Sequence, residues 1–209
     1  MSNGDVIDCN TFKGPTTMPP NFTYIDKFDT SANILLIVEK DTVFQYLVAS
    51  DIFSTFHGRV IVLTARGYPD FCTRWVLRKL SVEHHLKFYV LVDGDPYGIE
   101  IMLVYRYGCF MQSSTLYNLN CPKLKWLGIH PSDFAKIVTT REPMVKNDYD
   151  KIRCLLSRQH MSKEIRTELL MLHRQQCKLK IDNIPVHMFP KFINYYILQK
   201  IKKDNIFCD

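Results

Sequence analysis

Three carboxylates stand where strands of one sheet would bring them together. Glu39 directly follows an apolar run, and Asp93 and Asp95 directly follow another. Side chains two positions apart on an extended chain point the same way, so Asp93 and Asp95 share a side. Three clustered carboxylates repel one another and take up protons unless a cation offsets their charge. An oxygen-only ligand set favours Mg²⁺, which keeps several waters and bridges to phosphate. The pattern therefore predicts a magnesium site.

These carboxylates also have ordinary structural interpretations. A lone acidic residue after a strand, such as Glu39, commonly caps the next helix. Asp-x-Asp before a glycine-containing turn is common turn chemistry. An EF-hand is excluded because positions five and twelve of such a loop would be Tyr97 and Val104, neither of which is a carboxylate. A phosphatase-like nucleophile at Asp93 stays open, although such an aspartate is normally expected on the first strand and this one follows the third.

Buried strands alternate with helices in the first half of the chain. Continuous apolar runs, typical of strands covered on both faces, occupy residues 34–38, 60–64 and 88–92. Helical spacing follows each run, with Asp70 placed to cap the second helix and Gly108 to end the third. The alternation predicts βαβ units and a parallel sheet. We therefore expect an α/β fold with a Rossmann-like parallel sheet flanked by helices, and functional groups beyond the carboxyl ends of its strands.

The second half of the chain is less regular and more helical. Residues 124–127 are a candidate fourth strand, and Pro131 is placed to open a short helix. Helical periodicity covers about 146–158, 162–178 and 190–203. We expect three regions: an irregular lead-in over residues 1–30, an α/β core over 31–135, and a mainly helical C-terminal extension over 136–209 packed on that core.

Composition limits the class of protein. The 209 residues are 46% apolar and 23% charged, which is typical of a globular chain. Residues 1–100 carry 9 basic and 12 acidic side chains, whereas residues 101–209 carry 18 and 9. A basic half beside an acidic half suits a protein that holds a polyanion near metal-binding carboxylates, although many soluble proteins have basic surfaces that only solvate them.

Cysteine spacing and hydropathy predict the compartment. The seven cysteines are scattered and include no C-x-x-C pair, so we expect reduced, mostly buried thiols in the cytosol or nucleus. No apolar run approaches the ~20 residues that span a bilayer, and the N-terminus lacks the apolar stretch of a secretory signal. We therefore expect no membrane association.

Several motifs occur in a fixed order: residues 38–40 (VEK), 67–70 (GYPD), 92–100 (VDGDPYGIE), 105–108 (YRYG) and 125–133 (KWLGIHPSD). Together they resemble the Toprim domain of topoisomerase VI A subunits and of the eukaryotic relatives that make meiotic DNA double-strand breaks. The resemblance covers most of residues 30–205. The set is highly specific, although the acidic pattern by itself would indicate only some Toprim protein.

The resemblance implies a Toprim-type fold and a Mg²⁺-dependent enzyme like the ATP-hydrolysing type II DNA topoisomerases. In that family a tyrosine attacks a DNA phosphodiester and remains linked to a 5′ phosphate. Carried over, Glu39, Asp93 and Asp95 form the metal site, and Glu39 is also a candidate acid or base for religation. Metal there would neutralise phosphate and help stabilise the departing 3′ oxygen. The resemblance further implies double-stranded DNA, the nucleus, a homodimer and an additional topoisomerase VI B-like subunit.

Arg66, Arg74 and Arg78 are the predicted DNA contacts, because their turn and helix begin at the same sheet edge as the carboxylates. Solvated helix charge is the alternative interpretation. Two positions depart from the family pattern: Gly94 stands where alanine is frequent, and Ala65-Arg66 stands where Gly-Lys is frequent. Arg66 keeps the positive charge with altered geometry.

The family's attacking tyrosine lies in an upstream winged-helix domain, and this chain begins roughly where that domain ends. The doublet Tyr195-Tyr196 lies in the last predicted helix with Tyr196 on its apolar face, which indicates packing. We therefore expect a fragment, isoform or truncated form without the cleaving half. His130 is given no functional role, and lysines 200, 202 and 203 are expected at a solvated helix end.

Two other functions remain as alternatives. The first is a non-catalytic module that binds DNA and dimerises without breaking strands. The second, more distant, is a small-molecule phosphohydrolase that uses Asp93 as its nucleophile.

Overall fold

The computed structural model describes residues 6–9, 15–108, 118–159 and 161–203. Its centre is a parallel sheet of four strands: β1 (Ile34–Val38), β2 (Val60–Thr64), β3 (Lys87–Leu91) and β4 (Lys125–Gly128). The strand order is β2-β1-β3-β4, and every pairing is parallel. The middle strands are buried along almost their whole length, which explains their continuous apolar sequences. The predicted α/β fold with a parallel sheet is confirmed.

Helices alternate with the first three strands: α1 (Asp41–Ala49), α2 (Ile52–Thr55), α3 (Phe71–Glu83) and α4 (Pro96–Tyr107). Asp70 caps α3 as predicted, because its Oδ1 accepts a hydrogen bond of 2.6 Å from the amide of Thr73. Gly108 ends α4 with a φ of 86°, a backbone region that favours glycine.

The C-terminal extension is mainly helical and contains β5 (Glu142–Pro143), α5 (Lys146–Leu156), α6 (Lys163–Gln175), β6 (Cys177–Lys178), α7 (Phe189–Phe192) and α8 (Leu198–Lys203). A π-helical turn, Ile193–Ile197, joins α7 to α8. Short 3₁₀ helices cover Phe22–Tyr24, Pro131–Lys136, Ile181–Asn183 and Val186–Met188. Helix α6 ends earlier than predicted because Gln176 adopts a left-handed conformation, after which the chain pairs as β6 with β5.

The extension and the sheet share one hydrophobic core. Ile152 of α5, Leu169 of α6 and Ile197 of the π-helical turn belong to the same buried cluster as the residues of β1. The boundaries of the three predicted regions stay a prediction.

The thiols differ in part from the sequence prediction. Cys9, Cys72, Cys121, Cys154 and Cys177 are free. Within the described ranges Cys121 alone of these is buried, so the prediction that most thiols are buried is wrong for them. Cys109 and Cys208 lie outside the described residues.

Among the helices of the described residues, none has the length and apolar character needed to cross a membrane.

Candidate functional site

Glu39 and Asp93 lie side by side at the carboxyl edge of the sheet. Strands β1 and β3 pair with Val38 opposite Leu91, and the amide of Glu39 continues the pairing by donating to the Leu91 carbonyl at 3.1 Å. The amide of Asp93 donates to Oε2 of Glu39 at 2.9 Å. Glu39 is not the helix cap that its position allowed, because Lys40 takes the N-cap position of α1. The structure thus brings these two carboxylates together.

Asp93 is almost fully buried, and both of its carboxylate oxygens have partners. The residue is 3% exposed. Its Oδ1 accepts a hydrogen bond of 2.8 Å from the amide of Ile181, and its Oδ2 lies 2.9 Å from Nζ of Lys40. A fully buried carboxylate is costly unless it is paired, so these contacts stabilise its charged form.

The partners of Asp93 come partly from residues 179–183, which we call the strap. The strap crosses the carboxyl edge of the sheet, where Leu179 and Gly94 exchange two backbone hydrogen bonds of 2.8 and 3.1 Å. Asp182 of the strap pairs with Lys40 at 2.5 Å and accepts from the hydroxyl of Thr42 at 2.8 Å. The C-terminal extension is therefore part of the site.

Asp95 serves the fold as well as the site. Its Oδ1 accepts a hydrogen bond of 2.7 Å from the amide of Gly98 and so caps α4. A Cβ at Gly98 would overlap the backbone carbonyl of Asp93, so the first turn of α4 presses directly against that residue. The helix cap that was considered for Glu39 is thus found at Asp95.

All three carboxylates have raised pKa values. Burial raises the pKa of Glu39 to about 7, and the charge of Asp93 contributes further. Burial also raises the pKa of Asp93 to about 6, although the attraction of Lys40 opposes it. The pKa of Asp95 is raised above its usual value by burial as well. Buried like charges at one edge are stabilised by a bound cation.

The donor set suits a hard divalent cation. Mg²⁺ is usually held by one or two carboxylates, with waters and substrate phosphates completing its shell. Glu39 and Asp93 supply such a pair, and Asp95 adds negative charge nearby. Over the described ranges, no group of three His, Cys, Asp or Glu side chains is arranged to hold a metal ion. The residues therefore fit a site with two direct ligands, and the assignment of all three as ligands stays a prediction.

Arg66 lies next to the carboxylates. The amide of Gly67 donates to the backbone carbonyl of Glu39 at 2.8 Å, which ties the turn after β2 to the end of β1. The Arg66 side chain is mostly exposed and lies 3.2 Å from Asp41. Its position is compatible with the predicted contact to a DNA phosphate.

The other two predicted DNA contacts lie farther from the edge. Arg78 is half-buried and stands about seven residues into α3, roughly 10 Å along the helix from its start. Arg74 is 8% exposed because it lies on the inward face of α3. Little of its surface is therefore exposed, and its predicted contact with DNA stays a prediction.

Sequence reasoning missed a second charged group close to the start of α4. Glu100 forms ion pairs with Lys151 of α5 at 2.8 Å and with Arg158 at 2.7 Å, and the hydroxyl of Tyr68 also donates to it. Two cations facing one carboxylate leave positive charge near the carboxyl edge. Glu100 and Tyr68 lie in the recognised motifs, but nothing in the sequence pattern connected either cation to them.

Tyr196 and Lys200 belong to a buried polar cluster beside β4. The hydroxyl of Tyr196 donates to Oδ2 of Asp133 at 3.0 Å and accepts from the amide of His130 at 3.3 Å. Lys200 contacts the same carboxylate and the same histidine. The packing role predicted for Tyr196 is confirmed. The prediction of a solvated Lys200 is wrong, because its ammonium is held inside this cluster; the other two lysines of that group are exposed.

A family model for the Toprim domain of Spo11 and of the topoisomerase 6 A subunit matches residues 34–201. This chain belongs to the TOP6A/Spo11 family. Its Toprim domain contains the Glu39–Asp93 pair, the start of α4 and the strap within the matched range.

Individual relatives agree with this assignment. The chain is 42% identical over 184 residues to the meiotic recombination protein W68 of Drosophila melanogaster, covering 88% of this chain and 56% of the relative. It is 32% identical over 205 residues to the meiotic recombination protein SPO11 of Mus musculus, covering 96% and 52%. It is 32% identical over 209 residues to the A subunit of DNA topoisomerase 6 from Arabidopsis thaliana, covering 97% and 48%. This family member thus spans about half the length of these relatives.

Proposed function

We propose that this chain is the Mg²⁺- and DNA-binding part of a type II topoisomerase-like enzyme that makes meiotic DNA double-strand breaks by tyrosine transesterification. The observation that carries the proposal is the Glu39–Asp93 pair, in which the amide of a buried Asp93 donates to the carboxylate of a partly buried Glu39 at the carboxyl edge of the parallel sheet. Family membership supports the strand-breaking class, and the names of the W68 and SPO11 relatives support meiotic recombination.

The residues of the site have separate tasks in this proposal. Glu39 and Asp93 would hold the ion, and Asp95 would contribute charge while capping α4. Mg²⁺, when bound, supplies charge that neutralises a DNA phosphate and stabilises a departing 3′ oxygen. Arg66 would bind a neighbouring phosphate. Glu39 remains a candidate acid or base for religation, on the family resemblance alone.

The proposal places the attacking tyrosine outside these 209 residues. Tyr196 is buried, its hydroxyl donates a hydrogen bond to Asp133, and burial raises the pKa of that hydroxyl well above the usual value. Such a phenol can neither reach DNA nor ionise readily. We further propose that the chain acts in the nucleus on double-stranded DNA as a homodimer with a topoisomerase VI B-like subunit.

Metal titration tests the core of this proposal. We expect isothermal calorimetry with Mg²⁺ to give a saturable signal, and Glu39→Gln and Asp93→Asn to weaken binding by at least about tenfold. Glu83→Gln is the matched control, because Glu83 pairs with Lys79 at the end of α3 far from the carboxyl edge of the sheet. Identical titrations for the wild-type chain and both site variants would remove the metal assignment.

DNA titration tests the proposed binding of DNA. Backbone binding should weaken linearly with the logarithm of salt concentration, with a slope near −0.9 per phosphate contacted. Arg66→Ala should reduce this slope by about one contact, and Arg78→Ala tests another predicted residue in the same way. Fluorescence anisotropy with a labelled duplex measures both. Turnover of small phosphate esters by the chain would instead indicate the phosphohydrolase.

A non-catalytic DNA-binding and dimerisation module is the second candidate function. The observation that favours it is that each carboxylate oxygen of Asp93 already has a partner within the protein. Duplex affinity that is independent of Mg²⁺ and unchanged in Glu39→Gln would select this candidate over the enzyme.

A further inference from the structure

The ammonium of Lys40 lies where a cation is expected. Its Nζ is 2.9 Å from Oδ2 of Asp93, one of the two carboxylates assigned to the ion. The other oxygen, Oδ1, accepts the hydrogen bond of 2.8 Å from the amide of Ile181. Each carboxylate oxygen has two lone pairs, so neither contact by itself prevents ligation of Mg²⁺. An ion at Oδ2 would, however, lie next to the ammonium of Lys40, and the two cations would repel each other.

The two partners differ in their freedom to move. The amide of Ile181 belongs to the strap, which is fixed to the sheet edge by the two backbone hydrogen bonds between Leu179 and Gly94. Lys40 instead has a flexible four-carbon stem, and its side chain is 21% exposed. Lys40 is therefore the partner that can leave without disrupting the backbone.

Asp182 is already positioned to receive the displaced ammonium. Its Oδ2 lies 2.5 Å from Nζ of Lys40, so the ammonium contacts both aspartates at once. Its Oδ1 accepts from the hydroxyl of Thr42 in the first turn of α1, which fixes the carboxylate. Asp182 is also far more exposed than Asp93, so water can solvate its charge.

We propose that Lys40 is a positioning residue that neutralises Asp93 until Mg²⁺ binds, and that Asp182 then retains the displaced ammonium. The inference rests on the proposed function, because it takes Mg²⁺ as the ion of the Glu39–Asp93 pair. Lys40 competes with the ion for Oδ2 of Asp93, and Asp182 makes the displacement easier. The ammonium thereby offsets part of the negative charge of the metal-free site.

A double-mutant cycle tests this exchange by Mg²⁺ calorimetry. Lys40→Met should tighten binding by about fivefold, because the competing cation is gone. Asp182→Asn should weaken it by about threefold in the wild-type chain, because the ammonium then stays on Asp93. The same Asp182→Asn change should have no effect in the Lys40→Met background. Weakening by the same factor in both backgrounds would mean that Asp182 acts only through its charge, and would overturn the proposal.

A matched control and a second readout keep the test independent of folding. Lys79→Met removes the same charge from α3, where Lys79 pairs with Glu83 and has a side chain as little exposed as that of Lys40, and should leave Mg²⁺ affinity unchanged. In the wild-type chain, saturating Mg²⁺ should raise the rate of reductive methylation of Lys40 relative to Lys79, measured by peptide mass spectrometry. An unchanged ratio would overturn the proposal even if Lys40→Met does not fold.

The two proposals fail in different ways. Mg²⁺ binding that Asp93→Asn does not weaken removes the metal site and the proposed function with it. Binding that depends on Asp93 but not on Lys40 or Asp182 removes only the exchange.

Discussion

The amide of Asp93 donates a hydrogen bond of 2.9 Å to the carboxylate of Glu39, 54 positions earlier in the chain. This bond joins the loops that follow β1 and β3 and sets the spacing of the two carboxylates. Because a buried amide depends on Glu39 as its acceptor, Glu39 has a structural task in addition to its charge.

Two substitutions at Glu39 separate these tasks. Glu39→Gln keeps an oxygen for the amide of Asp93, so we expect little change in the free energy of unfolding. Glu39→Ala leaves that amide without its acceptor and should cost about 1–3 kcal/mol. Urea denaturation without divalent ions measures both. An equal decrease in the free energy of unfolding in the two variants would mean that this hydrogen bond does not contribute to stability.

Asp95 offers a similar separation of capping from charge. Asp95→Asn preserves an oxygen for the amide of Gly98, so stability should be kept while Mg²⁺ affinity falls. Asp95→Ala loses the cap as well and should cost about 1 kcal/mol of stability. Thermal unfolding and calorimetry on the same samples check the two effects. Unchanged Mg²⁺ affinity in Asp95→Asn would restrict Asp95 to capping.

The sheet and the position of its carboxylates could be predicted because short stretches of sequence determine them. Continuous apolar runs are sufficient to identify β1, β2 and β3, and parallel pairing then places Glu39 and Asp93 at one edge. The roles of Asp70 and Gly108 could be predicted equally well, since a helix cap and a helix end each depend on a few neighbouring residues. Family motifs then connected this edge to a known chemistry.

The strap and its contacts were not predictable in this way. Lys40 and Asp182 are 142 positions apart, and no spacing rule connects them. Lys200 is spaced like a solvated lysine at a helix end, but tertiary packing against β4 buries its ammonium beside Asp133. The sequence supplies these side chains, whereas only the docking of the extension decides their partners.

Gly94 illustrates how a family difference is accommodated. A Cβ at Gly94 would lie 2.5 Å from the ring of Phe134 and 3.2 Å from Ile129, so the packed ring fills the space that alanine needs. Gly94→Ala should therefore destabilise the chain by about 1–3 kcal/mol. Its cost should be smaller in a Phe134→Leu background, and urea denaturation of the four chains measures this coupling. An equal cost in both backgrounds would contradict the contact.

Tyr196 should behave as a structural residue. Tyr196→Phe removes the hydroxyl shared by Asp133 and His130 and should cost about 1–3 kcal/mol, because buried partners lose a hydrogen bond. Tyr195→Phe is the matched control, since Tyr195 is exposed. Mg²⁺ affinity should be unchanged in both variants. A stable Tyr196→Phe chain would mean that the cluster does not hold the extension.

The polar cluster around Asp133 should make the stability of the fold depend on pH. Burial alone would raise the pKa of Asp133, but hydrogen bonds from His130, Lys136 and Lys200 outweigh it and hold the pKa well below the usual range. The unfolded chain then binds more protons at this group than the folded chain does. The contribution of Asp133 is therefore complete above the usual aspartate pKa of about 4 and is lost as the pH falls below it.

Asp133→Asn tests this contribution directly. Removing the carboxylate leaves the ammonium of Lys200 without its ion-pair partner. Because the Lys200 side chain is 22% exposed, we expect the free energy of unfolding to fall by about 2 kcal/mol at pH 7, which is less than the cost of a fully buried unpaired charge. The loss should shrink as the pH is lowered from 5 to about 2, because the wild-type chain then loses the same interaction. Lys136→Met removes a partner that is 71% exposed and should cost less than about 1 kcal/mol. A difference between wild type and Asp133→Asn that stays constant with pH would mean that the charge of Asp133 does not stabilise the fold.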